Sequence, residues 1–239
     1  NLLGLILFIP VIILNRGPVK ISQVMENPEN FLNWSGQAWF NEIAYNPFVM
    51  LMLIGVGLLW AALLYNYLNE TRSVTFFHSL PFNRRTLFWN LNFAGAVGML
   101  IPIIITAIIC ILIRFVGNIG LIYGIQDILT WIVTYFIMEM VIFSSAVFVG
   151  MVTGLPLVQP IFTVIMHLLP AALFALTTIV MHLTIYGFPN YSSQMDWVEY
   201  LPIVRLFMIP IFGVSTVPNR GVISNWAYMG IMVLLIAAF

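Results

Sequence analysis

FWNLNFAGAVGMLIPIIITAIICILI, residues 88–113, runs for 26 positions without one charged side chain. A helix rises about 1.5 Å per residue, so about 20 such residues cross the hydrocarbon core of a bilayer. Three more predominantly apolar runs lie at residues 47–68, 128–152 and 161–186, and two partial ones at residues 2–14 and 226–239. Run length argues for helices, because lipid offers no partner for a backbone N–H or C=O. A membrane barrel would instead alternate apolar and polar residues over segments of about ten, and these runs do not alternate. The expected fold is therefore an all-α polytopic membrane protein forming a single transmembrane domain over residues 1–239.

Composition agrees. Of 239 residues, 62% are hydrophobic and 7% charged, with a mean hydropathy of +1.05. A soluble domain carries about 25% charge, so this chain lacks the means to cover a water-facing surface. Eight basic and eight acidic residues cancel, which excludes a basic field for nucleic acid. The single cysteine, Cys110, excludes an internal disulfide and a cysteine-based metal cluster. Both end runs look cut in mid-helix. The first has no start methionine, basic flank or small-residue cleavage site, so it does not read as a signal peptide. The sequence is expected to belong to something longer.

Proline and glycine punctuate the runs. Pro47 opens the second span at a favourable first-turn position, Pro156 and Pro160 frame the link after the fourth, and Pro102 and Pro170 should kink the spans that hold them. Gly150 and Gly154 form a GxxxG, which permits close helix packing. The long link 15–46 mixes Phe31, Trp34, Trp39, Phe40 and Tyr45 with polar residues, as suits the headgroup layer. Within the link 187–225, residues 201–214 form an apolar stretch too short to cross and broken by Pro202, Pro210 and Gly213. Such a stretch reads as a re-entrant segment, residues 196–214, or as a loop folded over the helix ends.

Catalytic constellations are nearly absent. Lys20 is the only lysine, so no GxxxxGK[ST] phosphate loop exists in this sequence. His78, His167 and His182 stand far apart, and neither HExxH nor GxSxG occurs. The sequons at Asn33, Asn69 and Asn190 are weak signals. Glu139 is the exception inside a span, where a charge costs about 2.5 kcal/mol or more on insertion scales. Ser144 and Ser145 follow on the same helix slightly over one turn away; Glu139 faces a polar pathway, with Ser144 as its companion, or it hydrogen-bonds between helices as packing glue. His167 and His182 pose the same choice, with packing favoured.

Residues 69–87 are the most informative loop. Arg72, Arg84 and Arg85 concentrate there against Glu70 alone, and that density favours the cytoplasmic side. Polar residues 69–73 lead into Val74, Phe76 and Phe77, then a Leu80-Pro81 break, after which Asn83 is placed to cap a helix running straight into the third span. A short helix with exposed aromatics and a basic anchor suits a soluble partner; an ordinary basic interfacial loop is the alternative.

The stretch RSVTFFHSLPFNRRTLF, residues 72–88, followed at once by a long apolar span, resembles the linker between the second and third spans of type-2 ABC exporter permeases. The family's Ser-Leu-Pro-x-x-Arg signature matches Ser79, Leu80, Pro81 and Arg84, and the form with His78 resembles a Firmicutes-type branch. The resemblance implies a bacterial plasma-membrane permease subunit of six spans, paired with a second permease, identical or related. It implies two cytoplasmic ATPase subunits docking on a coupling helix, with Glu70, Arg72, Val74, Phe76, Phe77, His78, Ser79, Leu80, Pro81, Arg84 and Arg85 as the coupling residues. ATP and magnesium would be held by those partner subunits, with no cofactor in this chain, which would not itself be an enzyme. The re-entrant segment would form an extracellular lid. Family members usually begin with an amphipathic interfacial helix, and none is visible before residue 2. A proton- or ion-coupled carrier centred on Glu139 is the competing expectation, followed by a non-transporting scaffold or sensor; an intramembrane enzyme comes last.

Overall fold

The computed structural model describes residues 2–26, 40, 43, 46–66, 83–115, 123–155, 158–186, 230, 233, 234 and 236. Among the described residues every regular element is an α-helix: α1 (Leu2–Glu26), α2 (Pro47–Tyr65), α3 (Arg84–Arg114), α4 (Ile125–Thr153) and α5 (Val158–Thr184). Helices α3, α4 and α5 are long and apolar enough to cross a membrane. The apolar parts of the other two, Ile6–Val19 and Leu51–Tyr65, are shorter.

The helix ends follow local chemistry. Asn46 Oδ1 accepts the Phe48 N–H at 3.0 Å, and Pro47 occupies the first turn of α2, where its missing N–H costs nothing. Asn83 stands at the N-cap of α3 in extended conformation, although its side chain makes no cap hydrogen bond. At the start of α4 the Asp127 carboxylate accepts the Gly124 N–H at 2.7 Å. Its end is set by Gly154, whose φ of +64° is the left-handed conformation glycine adopts without a Cβ penalty, and whose N–H donates to Gly150 O at 3.0 Å.

Several boundaries differ from those read off hydropathy. Helix α1 continues past Leu14 through Asn15, Arg16, Pro18 and Lys20 to Glu26, so the first part of the expected link is helical. Hydropathy reports which solvent a residue suits, and a helix that leaves lipid keeps its hydrogen bonds. Pro160 lies in the first turn of α5 rather than in the link before it. Helix α3 starts at Arg84, carrying the basic pair on its first turn. Helices α3 and α5 each continue through their internal prolines, Pro102 and Pro170. Residues 69–82 of the coupling segment and the re-entrant segment 196–214 lie outside the described residues. In the end run 226–239 only Gly230, Val233, Leu234 and Ile236 are described, all helical.

Packing centres on α4, which lies against α2, α3 and α5, while α1 lies against α3 and α2. Lipid tails are as apolar as leucine, so burial alone does not hold helices together in a bilayer; close van der Waals contact and interhelical hydrogen bonds do. Glycines supply the close contact. A Cβ on Gly57 of α2 would stand 3.2 Å from Ile142 Cγ2, and one on Gly95 of α3 only 2.5 Å from Phe143 Cζ. Side chains of α4 thus enter notches left by glycine on both neighbours. Ile142 belongs to a large core layer with Ile9, Ile13, Leu53, Ile103, Trp131 and Tyr135, and Phe143 to a second with Ala61, Tyr65, Met99 and Ala146. At one end of α4 the aromatics cluster: Phe40 stacks on Tyr123 at 5.4 Å and meets Trp131 edge-on at 6.2 Å. The Tyr123 hydroxyl donates to Cys110 O at 2.7 Å, tying the approach to α4 onto α3.

Candidate functional site

Among the described residues the buried polar side chains lie on α4 and α5, apart from Thr106 of α3, whose hydroxyl donates to Pro102 O at 2.8 Å. Glu139 sits midway along α4 and is 3% exposed. Its neighbours one turn on, Ile142 and Phe143, are the residues that meet Gly57 of α2 and Gly95 of α3. Glu139 therefore lies on the face of α4 that meets α2 and α3. Among the described residues it has no hydrogen-bond or ion-pair partner, and no charged neighbour acts on it.

Ser144, expected to share a pathway with Glu139, does not share its face. Five residues at about 100° each place it about 140° further round the helix. It is half-buried, and its hydroxyl donates to Val141 O at 3.1 Å. The next residue, Ser145, is the one drawn into an interhelical contact. Ser145 Oγ donates to Ile142 O at 2.9 Å and lies 2.8 Å from His167 Nε2 on α5. A serine hydroxyl has one proton. With that proton on Ile142 O, Nε2 is the protonated nitrogen and donates to Ser145.

His167 belongs to a stripe. Gln159, Thr163 and His167 recur every four residues along one face of α5 and are 1%, 0% and 7% exposed. They are the buried residues of α5 among those described. Gln159 Nε2 donates to Ala146 O at 2.8 Å, and Thr163 Oγ1 to Gln159 O at 2.7 Å. Gly150 makes room for the glutamine: a Cβ there would stand 2.7 Å from Gln159 Nε2. The GxxxG of α4 thus divides into one packing glycine, Gly150, and one helix-ending glycine, Gly154. Histidine as packing glue holds for His167, while His182 is exposed.

Of the expected coupling residues, Arg84 and Arg85 are described, both exposed on the first turn of α3. Glu70, Arg72, Val74, Phe76, Phe77, His78, Ser79, Leu80 and Pro81 lie outside the described residues. Behind the arginines, Asn92 Nδ2 donates to Tyr65 OH and to Phe88 O, each at 2.9 Å, joining that end of α3 to α2. At the far end of α3, burial first and the nearby Cys110 thiol second hold the Tyr123 phenol above its ordinary range, with Arg114 pulling the other way. Trp131 Nε1 is buried without a hydrogen-bond partner among the described residues, a loss of about 1–3 kcal/mol where water is also excluded. Among the described residues no three His, Cys, Asp or Glu side chains converge as a metal site.

Reading the sequence singled out Glu139 and His167 but passed over Gln159 and Thr163. Their signal was the four-residue spacing 159, 163, 167 inside an otherwise apolar helix, which places all three on one face. No protein-family model, curated protein or solved structure matches the chain.

Proposed function

We propose that this chain is the membrane-spanning permease subunit of an ATP-driven ABC exporter. The observation that carries the reading is the Ser79-Leu80-Pro81-x-x-Arg84 motif, which ends in sequence at the first residue of α3. Its arginine is the first residue of a 31-residue helix that engages α4 through Gly95 and Phe143. A force applied to the loop by a docked partner would pass along α3 into the centre of the bundle. In this reading residues 69–87 form a cytoplasmic coupling segment, the chain makes six spans, and residues 196–214 form a re-entrant lid on the opposite side. Two ATPase subunits bind ATP and magnesium, since Lys20 is the only lysine and offers no phosphate loop. A second permease, identical or related, completes the path for an amphiphilic substrate in the bacterial plasma membrane. This chain performs no covalent chemistry.

The test is the loop itself. Phe77→Asp places a charge in the apolar centre of the coupling segment and abolishes co-purification of the ATPase while leaving membrane insertion intact. Undiminished co-purification contradicts the reading.

A carrier that uses Glu139 is the second reading, favoured by the burial of that carboxyl without a partner. It requires flux in vesicles lacking ATP and loss of that flux in Glu139→Gln. ATP-dependent flux that survives Glu139→Gln supports the exporter and excludes the carrier.

A further inference from the structure

We propose that Glu139 is a proton-binding site in the membrane interior, and that its proton leaves only when the contact of α4 with α2 and α3 loosens. The inference needs α4 to lie in a membrane and holds under either transport reading.

Glu139 is 3% exposed and has no hydrogen-bond donor or cation beside it among the described residues. A carboxylate taken from water must be paired; a carboxylic acid, being neutral, need not be. The helices around it bring no counter-charge. Helix α2 contains no Asp, Glu, Lys, Arg or His, and its one phenol, Tyr65, accepts from Asn92. On α3 the arginines stand at the ends, Arg84, Arg85 and Arg114, and the Cys110 thiol lies level with Tyr123, far from the Gly95–Phe143 contact. On α5, His167 pairs with Ser145, which lies on another face of α4, and His182 stands in the last turn. The other ionisable groups of α4 are Asp127, in its first turn, and Tyr135, one turn before Glu139. On α1, Arg16 is exposed near the end of the apolar part Ile6–Val19, and Lys20 and Glu26 lie beyond it.

A metal ion does not fit this surrounding. It needs several oxygen ligands at once, and no set of three ligating side chains converges among the described residues. A proton needs only the carboxyl itself. The enclosure also sets the condition for release. Ile142 meets the Gly57 position of α2 at 3.2 Å and Phe143 the Gly95 position of α3 at 2.5 Å, with the backbone carbonyl oxygen of Glu139 3.6 Å from the former. Water that would solvate a carboxylate enters only if those contacts part.

The experiment uses the intact chain in nanodiscs and the apolar reagent dicyclohexylcarbodiimide, with peptide mapping by mass spectrometry. The O–H of a protonated carboxyl adds across one C=N bond, its oxygen going to carbon and its proton to nitrogen. The acyl group then migrates to nitrogen and leaves a stable N-acylurea, with no other reactant needed. Glu139 becomes modified, the extent falls as pH rises, a water-soluble carbodiimide leaves it untouched, and Glu139→Gln carries no label at that position. In Gly57→Ala, whose Cβ pushes Ile142 aside, the fall moves toward acid by about one pH unit because water reaches the carboxyl sooner. Gly95→Ala, wedging Phe143 instead, gives a shift of the same sign. Absence of label at every pH in protein of unchanged helicity, labelling that ignores pH, or equal labelling by the soluble reagent overturns the site. Unchanged profiles in both glycine variants overturn its link to helix contact.

Discussion

Helices α4 and α5 are near equals on paper and opposites in the bundle. They have 29 and 27 residues and equal mean hydropathy over their most apolar windows, yet 56% of the α4 window is buried and 7% of the α5 window. Helix α4 buries the large side chains Trp131, Tyr135, Ile142 and Phe143, the last two against glycine notches on its neighbours. Helix α5 buries Gln159, Thr163 and His167 and turns Leu169, Leu173, Leu176 and Leu183 outward. In water that arrangement of α5 would be unstable. In lipid it is sound, because leucine loses nothing by facing a hydrocarbon tail while a glutamine or histidine gains a hydrogen bond by facing inward. Both helices are long and apolar enough to cross a membrane; glycine notches and the polar stripe decide which helix is central and which is peripheral.

The contrast can be broken by substitution, and the largest effect belongs to the α4 side. Gly95→Leu drives a side chain into Phe143, whose ring already stands 2.5 Å from the Cβ position. Overpacking of this kind destabilises by about 1–3 kcal/mol, read as a lower detergent-unfolding midpoint; an unchanged midpoint means α3 does not meet α4 there. The polar stripe comes next. A double-mutant cycle of Ser145→Ala and His167→Ala should return a coupling of about 0.6 kcal/mol and at most about 1.7, and zero coupling removes the hydrogen bond from the account. Smaller still is Trp131→Phe, which deletes an indole N–H that has no described partner. Dropping an unsatisfied donor offsets most of the lost packing, so the change in stability stays under about 1 kcal/mol. Leu173→Ala, on the outward face of α5, lies at the bottom, within about 0.5 kcal/mol. A loss of 2 kcal/mol or more there, by the scale of core truncations, would mean that α5 is packed on its outer side too.

How far these roles were legible varies with the physics behind each. The apolar runs 88–113, 128–152 and 161–186 all fall largely within α3, α4 and α5, because hydropathy measures the solvent a segment suits. Asn83 was readable as a helix start, since an asparagine before a long helical run satisfies a local rule. The continuation of α1 to Glu26 was not, because a helix that leaves lipid loses its apolar signature without losing its hydrogen bonds. Glu139 stood out as a charge where none is cheap, but pairing it with Ser144 ignored the helical turn between them. The Ser145–His167 bond joins residues 22 apart on two helices, and no local pattern reports which serine faces which histidine. The division of labour between α4 and α5 was half visible, in the spacing of Gln159, Thr163 and His167.

The most direct test of the α4–α5 contrast is an oxygen-accessibility scan of spin labels placed singly along α4 and α5 in nanodiscs, with Cys110 replaced by serine. Oxygen concentrates in lipid. Labels at Leu169, Leu173 and Leu176 should relax fast, while labels at Thr163, His167, Trp131 and Ile142 stay protected, giving α5 a period near 3.6 residues and α4 low values over most of its length. Equal accessibility at Ile142 and Leu173, or fast relaxation along the 159–163–167 stripe, would contradict the central place of α4 and the inward polar face of α5.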